Sequence, residues 1–93
     1  MRILGSIPHP LLKITVFKMD NRISVKFENA NYEQTFKFGL DDRYQTLEAV
    51  QQWADETLIN EVLARMNDMH RSRLEAEQRA FPQAPPPEFE EIV

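Results

Sequence analysis

Apolar and polar residues alternate along three short runs in the first half of the chain. The runs cover residues 11–19, 22–28 and 32–38, and all three are rich in β-branched and aromatic residues. Alternation with a period of two is typical of strands that bury one face. The pattern therefore predicts three antiparallel strands joined by two tight turns.

The two turns set the strand register. Asp20-Asn21 separates the first two runs, and both residue types tolerate the positive φ that a two-residue hairpin turn requires. Ala30-Asn31 separates the next two. These loops predict pairs that place one apolar set on one face, because a slip of one residue would move it to the other side. The predicted pairs are Ile14 with Phe27, Val16 with Val25, Val25 with Phe36 and Ile23 with Phe38.

The opposite face of the predicted sheet is mostly polar, and we expect it to meet water. Lys13 and Glu28 fall opposite each other there and would form a cross-strand ion pair. Phe17 and Met19 are the apolar exceptions on this face.

The second half of the chain has helical periodicity. Thr46 is a candidate N-cap, and apolar residues recur three and four positions apart from Leu47 to Met69. The interruption at residues 55–57 predicts a short helix near 46–54 and a long one near 56–80, with one kinked helix as the alternative. The fold class is therefore α+β: a three-stranded antiparallel meander covered on one face by a short and a long C-terminal helix.

Two prolines and an apolar run at the start of the chain predict an extended arm over residues 1–10, with a short edge strand as the alternative. The domain would then occupy residues 1–81, with the meander at 11–38 and the helices at 46–80. Residues 82–93 combine four prolines with three glutamates and no basic residue. This composition predicts a solvated tail, which is a candidate docking site for another protein.

Composition limits the function classes. The chain has 93 residues, a net charge of −4 and no cysteine. The negative charge disfavours nucleic acid as the main partner, and no stretch approaches the length of a membrane span. We expect a cytoplasmic protein.

No catalytic constellation is visible, so we expect neither an enzyme nor a bound cofactor or metal. His9 and His70 are far apart in the chain, and its two glycines, Gly5 and Gly39, form no phosphate-binding loop. The serines lack the context of an activated nucleophile.

The chain resembles short uncharacterised bacterial proteins. The resemblance rests on Ile7-Pro8-His9-Pro10, the strand from Lys13 to Phe17, the strand Gln34-Thr35-Phe36-Lys37 and the helix around Glu61-Val62-Leu63, roughly residues 7 to 70. It implies a single domain and carries no activity with it.

Three functional hypotheses follow. The first is a non-catalytic assembly module that forms a homodimer, because the long helix would extend past its own sheet. The interface candidates are Phe17, Met19, Met69, Leu74 and Phe81. The second is a nucleic-acid-binding domain that uses the open sheet face, with phosphate contacts from Lys13, Arg22, Lys26 and Lys37. The third is a ligand pocket between the sheet and Trp53.

Overall fold

The computed structural model describes residues 2–82, which form one antiparallel sheet and two helices. The elements in chain order are β1 (Arg2–Ile7), β2 (Lys13–Met19), β3 (Arg22–Glu28), β4 (Glu33–Gly39), a 3₁₀ turn (Asp42–Tyr44), α1 (Leu47–Trp53) and α2 (Glu56–Ala80). The strands are neighbours in the order β1-β2-β3-β4. The predicted α+β class with an antiparallel sheet and two helices is confirmed.

The predicted number of strands was wrong, because the sheet has four strands rather than three. Residues of the expected extended arm form β1, which pairs antiparallel with β2. A register shift between Ile3 and Gly5 interrupts the alternation that would have revealed this strand. Gly5 lies where β1 approaches α1: a Cβ atom built there would be 2.8 Å from Cδ2 of Leu47. A larger residue at Gly5 would push that leucine side chain away.

The register between the other strands follows the sequence prediction over most of its length. Val25 pairs with Val16 on one side and with Phe36 on the other, as predicted. The prediction fails at the end of β4, where Ile23 pairs with Gly39 instead of the phenylalanine before it. This shift is a bulge in the β3–β4 pairing. At the first hairpin, only Asp20 takes a positive φ, of 56°.

The centre of the open sheet face is less exposed to solvent than predicted. Thr15 was expected to face water but is buried, because β1 makes β2 an internal strand with Ser6 opposite Thr15. Lys13 and Glu28 are register partners, as expected. The ion pair that Glu28 forms is nevertheless with Lys26 on its own strand, at 3.4 Å.

Two separate helices, rather than one kinked helix, cover the other face. Thr46 caps α1 by accepting a hydrogen bond from the N–H of Ala49 at 3.1 Å. Asp55 caps α2 by accepting from the N–H of Leu58 at 2.9 Å. These side chains satisfy N–H groups that have no partner within the helix. The second cap explains why the apolar periodicity is interrupted at this point.

The core lies between the helices and one face of the sheet. Its fully buried members include Val25 and Phe27 from the sheet, and Val50 and Val62 from the helices. Trp53 packs edge-on against Phe36 and Phe38 and against Tyr44, closing the end of the core nearest the α1–α2 junction. The buried apolar set is Leu12, Ile14, Val16, Ile23, Val25, Phe27, Val50, Ala54, Ile59, Val62 and Met66. Within residues 2–82, neither helix has the length and apolarity that crossing a bilayer requires.

Candidate interaction surfaces

The C-terminal half of α2 lies outside the core. Met66 is the last buried residue of this helix, and every residue from 67 to 80 is exposed. The helix has 25 residues, so at about 1.5 Å per residue it is about 37 Å long. The strands have six or seven residues and span about 20–24 Å. The helix therefore projects past the sheet, consistent with molecular dimensions of 52 × 24 × 20 Å.

The contact between α2 and the sheet ends near Tyr32. Its hydroxyl is 2.7 Å from Nδ1 of His70, and their rings meet edge-on. One turn earlier, Nδ2 of Asn29 lies 3.3 Å from the sulfur of Met66. Beyond these groups, residues 74–80 continue without a hydrogen bond to the sheet in the described part of the chain. We predicted from the sequence that the long helix would extend past its own sheet, and this free end is the part of α2 that does so.

Three of the predicted interface candidates lie on this projecting segment. Met69 is 37% exposed, Leu74 is 39% exposed and Phe81, just after the helix, is 64% exposed. Leu74 and Phe81 are seven positions apart, which brings them to one side of the helix. Met69 is five positions before Leu74, about 140° away around the helix, and continues the stripe that contains the buried Met66. We call residues 67–81 the projecting segment.

Ion pairs on the projecting segment are largely satisfied within the helix. Nε of Arg73 is 2.9 Å from Oε2 of Glu77, and Nη1 of Arg71 is 3.4 Å from Oε1 of Glu75. The hydrogen bond to Glu77, and next the one to Tyr32, raise the pKa of the Arg73 guanidinium. Residues 67–80 contain three arginines and three acidic residues, so this segment has no net charge with neutral histidine.

The other two interface candidates lie together on the open sheet face. Phe17 and Met19 line a pocket of about 220 Å³ at the Asp20-Asn21 end of the sheet. Its remaining lining residues are Arg22, Ile23, Ser24, Lys37 and Gly39. The bulge between Ile23 and Ser24 and the absent side chain of Gly39 lie at this place, so the irregular register accompanies the cavity. We call this cavity the hairpin pocket.

The four predicted phosphate-binding residues do not form one continuous stripe. Arg22 and Lys37 flank the hairpin pocket, whereas Lys13 lies at the other end of β2. Lys26 is paired with Glu28 and sits 5.5 Å from the ring centroid of Phe17. The structure therefore brings two of the four cations together with the two apolar candidates.

The space that the ligand-pocket hypothesis requires is filled by aromatic rings. The Trp53 centroid is 4.8 Å from that of Phe38 and 5.1 Å from that of Phe36. Phe38 also stacks on Tyr44 at 4.0 Å. A shallow groove of about 540 Å³ does run beside β4, lined by Tyr32, Gln34, Arg65, Asp68, Met69 and Ser72. It lies on the flank of α2, away from Trp53.

The sequence did not predict the contact between Tyr32 and His70. It also did not predict that two cations, Arg22 and Lys37, lie beside Phe17 and Met19. The first joins residues 38 positions apart, and the second depends on a bulge. No group of three or more potential metal ligands is found within residues 2–82. The candidate docking tail, residues 83–93, lies outside the described residues.

Comparison of this chain with protein-family models, curated proteins and solved structures finds no match.

Proposed function

We propose that this protein is a small non-catalytic assembly module that acts as a homodimer through the projecting segment. The observation that carries the proposal is the extension of α2 past its own core, with Met69, Leu74 and Phe81 exposed along it. Leu74 and Phe81 form an apolar pair on one side of this segment, and exposed apolar patches are typical of interaction sites. A helix that is not covered by its own domain gains stability when another surface covers it.

A second copy of the chain suits this surface better than a highly charged partner. The whole chain carries a net charge of −4, but the projecting segment is electrically balanced. Two copies can therefore approach through it without the repulsion that their remaining surfaces would produce. An antiparallel arrangement also places the helix dipoles in opposite directions. Two-fold symmetric pairing is the commonest way for identical chains to associate.

The nucleic-acid alternative has less support. Lys26 is paired with Glu28, and Glu33 is exposed on the same open face. Phosphate contacts dominate such binding and would have to overcome these carboxylates. Of the remaining cations, Lys13 lies at one end of the sheet, whereas Arg22 and Lys37 lie together at the other end.

The proposal is tested by light scattering at micromolar concentration. We expect a mass twice the 11.0 kDa of the chain. The double variant Leu74→Glu/Phe81→Glu should shift the mass towards the monomer, because it places carboxylates on the apolar side of the projecting segment. Circular dichroism would check that the variant keeps its fold.

A matched control adds two carboxylates to exposed positions of the same helix that precede the projecting segment, as Thr57→Glu/Ala64→Glu. Both residues are exposed, and they are seven positions apart, like Leu74 and Phe81. The control should remain dimeric. A wild-type mass near 11.0 kDa would refute the dimer. A dimer unchanged by Leu74→Glu/Phe81→Glu, or dissociated equally by the control, would refute the location.

A further inference from the structure

We propose that the acidic segment of residues 88–93 docks in the hairpin pocket of another copy, with Phe89 as the inserted side chain. This inference rests on the proposed self-association, and it concerns a second surface, on the opposite face of the sheet from α2. It commits to one occupant: a segment of this chain that lies outside the described residues.

The hairpin pocket combines an apolar floor with two cationic neighbours. Phe17 and Met19 supply the apolar surface, and Met19 is 52% exposed although it is a large apolar residue. Arg22 and Lys37 are both exposed and line the same cavity. No ion pair within residues 2–82 involves either cation. Such a site fits an apolar side chain flanked by carboxylates.

The tail has one apolar side chain flanked by carboxylates. Phe89 is the only aromatic residue after Phe81, and Glu88 and Glu90 flank it directly, with Glu91 next. Residues 82–93 contain no lysine or arginine, so nothing in the segment repels the two cations. Charge complementarity of this kind also increases the rate of encounter and fixes the orientation of binding.

The pocket volume suits one aromatic side chain. A dry cavity of about 150 Å³ can hold benzene in other proteins. The hairpin pocket, at about 220 Å³, has room for a phenyl ring and its methylene, but not for two large side chains. The single phenylalanine of the tail therefore matches the capacity of the site.

The distances favour docking between copies over docking within one copy. Trp53 packs against Phe38 at the pocket end of the sheet, and His70 meets Tyr32 at the opposite end. Ala80 lies ten residues past His70, about 15 Å further away. The stretch of β4 from Tyr32 back to the pocket adds about 17 Å.

The helix end and the hairpin pocket are therefore separated by about 32 Å along the molecule. Phe89 lies nine positions after Ala80, and nine extended residues span at most about 32 Å. The tail would therefore reach the pocket of its own copy only if it were fully extended along a straight line, yet the pocket lies on the opposite face of the sheet from α2, so the path must also pass around the sheet. In an antiparallel helix pair, the partner's helix would end nearer this sheet, which shortens the path.

The absence of cysteine allows a clean cross-linking test with full-length chains. Copies that carry Met19→Cys are mixed with copies that carry Glu91→Cys under mild oxidation. We expect the disulfide-linked heterodimer to form at least tenfold faster than in a matched mixture with Lys13→Cys. Lys13 is exposed on the same sheet face at the far end of β2, so it controls for random collisions.

Two further variants test the assigned roles. Phe89→Ala in the Glu91→Cys copy should reduce the cross-linking rate to that of the Lys13→Cys control. Arg22→Glu with Lys37→Glu in the Met19→Cys copy should do the same. Equal rates at Met19→Cys and Lys13→Cys, or rates unaffected by Phe89→Ala, would overturn the inference.

Light scattering on the same variants separates this result from the proposed function. A dimer with unselective cross-linking would leave the helix-mediated dimer intact and remove the tail inference. Selective cross-linking of a chain that is monomeric at micromolar concentration would support tail docking and remove the helix-mediated dimer.

Discussion

The one-sided sheet makes Val25 the most informative position for a stability test. Val25 is fully buried at the centre of β3, paired with Val16 and Phe36. In Val25→Asp, a carboxyl with an ordinary pKa near 3.9 must be buried. Keeping it protonated at pH 7 costs about 4 kcal/mol, and the loss of the valine adds about 1.5–3 kcal/mol. The total is about 6 kcal/mol, against about 4–12 kcal/mol for the whole domain.

Urea unfolding followed by circular dichroism measures this loss, with Ser24→Asp as the matched control. Ser24 is half-buried on the open face, where its register partners are Phe17 and Lys37. A carboxylate there faces a cation and solvent, so the free energy of unfolding should change by less than about 1 kcal/mol.

The pH dependence of Val25→Asp provides a second check. Burial raises the pKa of the introduced carboxyl above its unfolded value. Its protonation cost is therefore absent below about pH 4 and grows as the pH rises through the unfolded pKa. The deficit relative to wild type should shrink by about 4 kcal/mol between pH 7 and pH 4. Equal losses in Val25→Asp and Ser24→Asp, or a deficit independent of pH, would refute a sheet with one buried face.

Two further predictions concern an exposed turn and the tail. The hydrogen bond from the Arg43 side chain holds the pKa of Asp41 below its ordinary value of 3.8, so its stabilising contribution is present above that value and is lost as pH falls through the folded pKa. The melting temperature of wild type should therefore exceed that of Asp41→Asn at pH 7, and a difference that does not shrink as the pH falls below 3.8 would contradict this. Truncation after Phe81 should change the melting temperature by no more than a few degrees at micromolar concentration, because the described core ends at Met66. A large decrease relative to the full-length chain would mean that the tail docks on its own domain or on a partner copy.

The sequence predicted the features that depend on local chemistry. The two hairpin loops determine the alignment of Val16, Val25 and Phe36, and a period of two then assigns their faces. Thr46 was identified as a cap from its position before an apolar stripe, and residues 55–57 were identified as the break between two helices. These signals are contained within a few residues of each other.

The sequence did not predict features that depend on distant partners. β1 has a shift at Gly5 and is followed by prolines, so the sequence leaves open whether it is an arm or a short edge strand, and only the pairing with β2 decides this. The burial of Thr15 follows from that missing strand. The hairpin pocket depends on a bulge that brings Gly39 opposite Ile23, which no local pattern signals.

The two parts of α2, before and after Met66, are kept helical by different interactions. Residues 56–66 are held by the core and residues 67–73 contact the sheet through Tyr32, whereas residues 74–80 must persist as a helix by their own hydrogen bonds and ion pairs. Isolated helices shorter than about 12–15 residues are marginal in water. Because the anchored half supplies the nucleus, the projecting half frays from its end in a graded manner. A partner that binds this segment only when it is helical increases the fraction of molecules in which the segment is helical, by mass action. The helix–coil equilibrium of the segment is therefore coupled to association. We therefore expect the amide hydrogen exchange of residues beyond Met69 to become slower when the protein concentration is raised.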